Sequence, residues 1–157
     1  MLTMRVLNCT KLRGTLLSIN SSGLSLKSIH PLYSRTMYTS IVIPKALYGC
    51  ELWSMLSITD IQRLERSHRF CVKYVQLRHT STDLVLCSLD ITSIECIIDQ
   101  INLLFLGQLC WLPNQYLAKN IFNQRRVRFL NYNQQVNGFV PDIISFTAKI
   151  WSMSDYS

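Results

Sequence analysis

The segment from Thr59 to Gln76 constrains the fold more than any other part of the chain, because its apolar residues recur at helical spacing. Ile61, Leu64, His68, Cys71, Val72 and Val75 fall within about 120° of one another at about 3.6 residues per turn, so one side of a helix over 59–76 is suited to burial. Thr59 with Gln62 has the form of a capping box that would open it. A single apolar stripe needs other elements to cover it, and the rest of the chain offers further helical patterns. Thr92 with Glu95 makes a second capping box, followed by Ile94, Ile97, Ile98, Ile101, Leu104 and Phe105 on one stripe. The half from Leu103 to Leu112 is apolar nearly all round, which predicts the central buried element, ending before Pro113.

Residues 2–19 read as a helix weakened by Gly14, and residues 20–23 as a loop. His30 precedes Pro31 and is pushed out of helical geometry, so the next helix should start at Pro31. Pro44 cannot donate to the Ser40 carbonyl and its ring clashes there, which predicts a kink or break near residues 40–44. The β-branched run Ile41-Val42-Ile43 keeps a short strand open at the same place. Residues 81–89 suit a short helix with Asp83 in its first turn, residues 115–130 a further helix, residues 131–138 a polar loop, and Pro141 a last helix with Ile143, Ile144, Thr147, Ile150 and Trp151. These patterns predict a mainly α fold, a single compact bundle of about five to seven helices forming one domain over 1–157. With 157 residues, 48% of them hydrophobic, a real core is within reach.

Charge narrows the partners. Sixteen Lys and Arg against nine Asp and Glu leave a net +7. Residues 1–50 hold six of the basic groups and no acid, whereas residues 81–100 carry only acids. Such a balance is favourable for polyanions such as nucleic acid or an anionic membrane surface, and it also suits a plain solvated face. Arg5, Lys11 and Arg13 interrupt the apolar residues of the N-terminus, so no secretory signal is expected and the chain reads as intracellular, cytoplasmic or nuclear, and not secreted. No window reaches the roughly 20 apolar residues of a membrane span, which predicts core segments and no membrane partner. The six cysteines lack a Cys-x-x-Cys spacing and are expected as reduced thiols, buried as small hydrophobes.

The side of the 59–76 helix opposite its apolar stripe is the best binding candidate. Arg63, Arg66, Arg69 and Lys73 gather there at spacings of three and four residues, beside Phe70 and Tyr74. A row of this kind can follow a phosphate backbone and release its counterions, and the rings can stack on unpaired bases. Lys119, Arg125, Arg126 and Arg128 form a second, more scattered basic group. Contacts of this kind go to phosphates, so any binding is expected to be sequence-independent. His68 and Cys71 stand one turn apart, but no second ligand pair appears at metal spacing, so a satisfied core histidine is expected and no metal site. There is no glycine-rich phosphate loop, no cofactor is implied, and a Cys–His nucleophilic pair has no local signature.

One string carries no chemistry of its own yet is distinctive: Ala46-Leu-Tyr-Gly-Cys-Glu-Leu-Trp53, preceded by Ile41 to Pro44 and followed by the basic run Leu64 to Gln76. Tyr48 and Trp53 are expected to anchor the kinked segment and Gly49 to permit close approach, while a buried Glu51 would call for Arg35 or Lys45. This string, with Leu16-Leu17-Ser18, Gly23-Leu24, Leu103 to Pro113 and Gly138 to Ile144, resembles the region that follows the polymerase core in reverse transcriptases of non-LTR (LINE-type) retrotransposons. The resemblance covers most of the chain and implies a thumb and post-thumb fragment. That family's palm holds two metal ions on adjacent aspartates, and no two acidic residues are adjacent here. The resemblance therefore implies a non-catalytic remnant, not an enzyme, with a basic helix face set against an RNA and DNA duplex. The alternatives are a helical protein that self-associates through the surface that met the palm, and a truncated reading frame without function.

Overall fold

The computed structural model of the chain describes residues 2–24, 28–53, 56–75 and 81–132, with side chains described between residues 8 and 127. It is mainly α, with no strand among the described residues: α1 Leu2–Ser21, α2 Pro31–Met37, α3 Ile43–Ala46, α4 Ile58–Val75, α5 Thr82–Ser88, α6 Ile94–Trp111 and α7 Leu117–Tyr132. The helix expected after Pro141, most of the 131–138 loop and His79 lie outside the described residues. Contacts group the chain into two compact units, one formed by residues up to Tyr48 with Ser57–Ile97, the other by Gly49–Leu56 with the residues from Ile98 onward.

In the first unit α4 is the hub, packed against α1, α2 and α5. Its stripe is buried as its spacing predicts: Leu64, His68, Cys71, Val72 and Val75 are each at most 5% exposed. Leu12 and Leu16 of α1 and Val85 of α5 are fully buried in the same core. Fully burying a side chain of this size stabilises by about 1.5–3 kcal/mol, so the unit rests on these contacts.

The proline at 44 does not break the chain or turn it into a strand. Residues Tyr38–Val42 widen into a π-helical turn between α2 and α3, and the Ile43 N–H donates to the Tyr38 carbonyl, five residues back. Widening the turn accommodates a ring that an α-turn would press against the Ser40 carbonyl. The helix therefore continues through the expected kink. At its start, His30 adopts φ −55° and ψ 136°, and its Nδ1 accepts the Leu32 N–H, with Pro31 in the first turn. Beyond α3, Gly49 takes φ +75°, the left-handed conformation that glycine reaches without strain. Nothing lies within 4 Å of where its Cβ would be, so the glycine serves the backbone angle and not close approach.

Both capping boxes sit where other residues serve the helix ends better. At α4 the cap is Ser57: its N–H donates to Asp60 Oδ2 at 3.3 Å, and the Asp60 N–H donates to Ser57 Oγ at 3.2 Å. Thr59 and Gln62 are exposed instead. A carboxylate in this reciprocal box also faces the positive end of the helix, which an amide does not exploit. At α6, Ser93 Oγ accepts the Cys96 N–H at 3.4 Å, and the Ile94 N–H donates to Glu65 Oε2 of α4 at 3.0 Å.

In the second unit the later part of α6 pairs with α7. Leu109 and Phe122 are buried, with Phe105, Leu106 and Leu112 packed against them. This contact covers one side only. Leu104 is 69% and Trp111 90% exposed, so the Leu103–Leu112 half is not the central buried element its composition suggests. By length and composition alone, α6 is long and apolar enough to cross a membrane, although Glu95 and Asp99 lie in its first turns.

Candidate nucleic-acid interface

The interior of the first unit fixes which way α4 faces. His68 is fully buried, its Nε2 lies 3.1 Å from the Thr92 carbonyl and its Nδ1 2.8 Å from the Tyr38 hydroxyl. A carbonyl only accepts, so Nε2 carries a proton; burial disfavours a second one on the ring, and Nδ1 accordingly accepts the hydroxyl of Tyr38. The imidazole is thus neutral and satisfied at both nitrogens, which leaves neither free for a metal. Burial is the main force holding its pKa below the ordinary value, against an opposing pull from Glu65 and the Thr92 carbonyl. The same burial raises the Tyr38 hydroxyl far above its usual range. These bonds tie the π turn and the start of α6 to α4, and the basic side of α4 must then face outward.

On that side Arg63 and Arg66 are exposed and Lys73 is half-buried, and no described carboxylate pairs with any of the three. Phe70 is 45% exposed and Tyr74 half-buried. Arg69 departs from the row. Its Nε lies 3.0 Å from Glu65 Oε1 and its Nη1 3.2 Å from Asp83 Oδ1, which draws the guanidinium to the edge of the helix toward α5. Glu65 and Asp83 are thereby occupied, and Asp60 serves the α4 cap. Among the described acids around α4, none pairs with Arg63, Arg66 or Lys73.

One cation the sequence did not nominate joins the surface. The guanidinium of Arg13 on α1 stands 4.8 Å from the centre of the Phe70 ring. Local sequence carries no signal for this, because only the packing of α1 on α4 brings residues 57 positions apart together.

The second basic group does not assemble. Lys119 Nζ donates to the carbonyls of Leu109 at 3.0 Å and Cys110 at 2.8 Å, capping the carbonyl end of α6. Arg125 and Arg126 are exposed on α7, and the side chain of Arg128 lies outside the described residues. The expectations for the distinctive string are also revised. Tyr48 is 88% exposed and anchors nothing, and Arg35 pairs with Asp90 at 2.8 Å, not with Glu51. All six cysteines are free, as expected, but Cys87, Cys96 and Cys110 are exposed and only Cys50 and Cys71 are buried. Among the described residues no three His, Cys, Asp or Glu side chains gather as a metal site would require.

No protein-family model, curated protein or solved structure matches this chain.

Proposed function

We propose that the chain is a non-catalytic remnant of a retrotransposon reverse transcriptase that binds nucleic acid through the exposed side of α4, independently of sequence. The observation that supports this reading is the row itself: Arg63, Arg66 and Lys73 share one side of a helix, no described carboxylate pairs with them, and Glu65, Asp83 and Asp60 are engaged by Arg69 and the helix cap. Clustering like charges without counter-charges is unfavourable unless a polyanion supplies them, and phosphates spaced along a nucleic-acid backbone do so. The test is a salt series. The full chain should bind duplexes of unrelated sequence alike, with affinity falling steeply as salt rises. Changing Arg66 and Lys73 together to Gln should lower the log–log salt slope by about 0.9 for each lost phosphate contact, with far-UV circular dichroism unchanged. A double variant that binds as tightly as the parent at every salt concentration would remove the reading.

A second reading, self-association, is favoured by the open apolar side chains of the second unit: Leu104 at 69%, Trp111 at 90% and Leu117 at 74% exposure. It expects a concentration-dependent oligomer in sedimentation equilibrium that Trp111→Ser with Leu117→Ser dissolves. A parent that stays monomeric at high micromolar concentration sinks it.

A further inference from the structure

We infer that the binding surface is shared between two helices: Arg13 of α1, held on the ring of Phe70, is a phosphate contact beside those of α4, and the surface takes paired backbone in preference to unpaired bases. This rests on the nucleic-acid reading of α4 given above.

The placement of Arg13 carries it. Phe70 lies one turn after Arg66 and one turn before Lys73, so it stands between the two cations of the row. The guanidinium that sits 4.8 Å from its centre therefore arrives among them. No described carboxylate pairs with Arg13, so attraction to the ring is the only described contact that offsets repulsion from its neighbours. The contact with the ring uses none of the five N–H donors of the guanidinium as a conventional hydrogen bond, so they remain available in the fork that suits phosphate oxygens.

The same placement changes the role of Phe70. An exposed aromatic in a basic row is ordinarily the platform on which an unpaired base stacks. Here an incoming base must first displace Arg13, giving up a contact that is worth about two- to fivefold in affinity at an exposed site, and a phosphate contact with it. A duplex gives up neither. Its phosphates are also denser along the axis, so each cation releases more counterion than on a single strand, with slopes of about 0.9 against 0.7 per contact.

The experiment compares one duplex with the single strand of the same sequence, bound to the full chain and read by fluorescence anisotropy across a salt series. Arg13→Gln should lower the duplex salt slope by about 0.9 and shift preference toward the single strand, since the ring is uncovered. Arg13→Lys keeps the charge and should keep the slope. Phe70→Leu should weaken duplex binding about two- to fivefold without singling out the single strand. Both side chains are exposed, so unchanged circular dichroism is expected for all three variants. An Arg13→Gln slope equal to the parent's, while Arg66→Gln with Lys73→Gln lowers it, overturns this inference alone. A single-strand loss of tenfold or more in Phe70→Leu, with duplex binding intact, also overturns it, because Phe70 then stacks bases. No loss in the Arg66 and Lys73 pair, or a parent that binds neither strand form, removes the underlying reading as well. Vesicles of phosphatidylserine bound as tightly as the duplex would assign the surface to a membrane and overturn both.

Discussion

Acidifying the protein from pH 7.5 to 5.5 should destabilise it through His68. In the folded chain this imidazole is neutral, donating to the Thr92 carbonyl and accepting from Tyr38, and burial lowers its pKa from the ordinary 6.5. The groups around it do not reverse that. Glu65 pulls the other way but is paired with Arg69, and the Tyr38 and Cys71 groups, both raised by burial, remain neutral throughout the window. Unfolding returns the ring to water, where it takes up a proton at its ordinary pKa. The unfolded state therefore binds more protons below pH 6.5, and stability falls as pH falls from there toward the lower folded value. One pH unit below the unfolded pKa, at pH 5.5, the loss reaches about 1.4 kcal/mol if the folded ring is still neutral. For a chain of this length that is a fall in melting temperature of about 3–5 °C. Protonation in the folded state is unfavourable for a concrete reason. Nδ1 would become a donor, the Tyr38 hydroxyl would have to turn and accept, and its own proton would lose its partner. Urea denaturation at pH 7.5, 6.5 and 5.5 measures the effect, with His68→Gln as the non-titrating control that keeps a donor for Thr92. If that variant folds poorly, the ring resonances of His68 in the parent provide an independent reading and should not titrate near pH 6.5. Stability that is flat or rising between pH 7.5 and 5.5 would refute the reasoning, as would a His68 ring that titrates at its ordinary value.

Three further outcomes follow from particular contacts. Glu65→Ala removes the acceptor of the Ile94 N–H and the partner of Arg69, and should cost about 1–2 kcal/mol in urea, whereas Glu65→Gln keeps an acceptor and should cost less; equal losses would show that the cap is not what matters. Asp90 closes α5 with φ +48°, its N–H donating to the Cys87 carbonyl while the Ile91 N–H reaches Leu86, so Asp90→Gly should be near neutral and Asp90→Ala should cost about 1 kcal/mol, the exposed Arg35 pair contributing little to either. Alkylation of the native protein at pH 8, followed by mass mapping, should label Cys87, Cys96 and Cys110 quickly and spare Cys50 and Cys71, whose thiols burial pushes up to about 12; a Cys71 that reacts as fast as Cys87 contradicts its placement.

Elements whose cause is local were legible in the amino-acid order alone. The apolar spacing of α4, the extended His30 before Pro31, and Asp83 at the start of a short helix are written within a few residues of one another, and each appears in the structure at its place. The mainly α class follows from them. The outward turn of Arg63, Arg66 and Lys73 was legible too, because a buried stripe on a helix dictates what its other side does. Tertiary structure decided the rest, because contacts between distant residues outweigh equally good local alternatives. At the start of α6 the neighbouring Ser93 caps in place of Thr92, and the Ile94 N–H goes to the carboxylate of Glu65, 29 residues upstream, a partner no local pattern names. Arg69 has the same spacing as its neighbours in the row, yet Glu65 and Asp83 neutralise it and draw it to the edge of the helix. Composition marked the second half of α6 as core, but burial depends on what packs against a helix, and α7 covers one side of it. Arg13 reached the ring of Phe70 only because α1 lies on α4. Helical period states which residues share a side of a helix, and only the packing of one helix on another decides what that side meets.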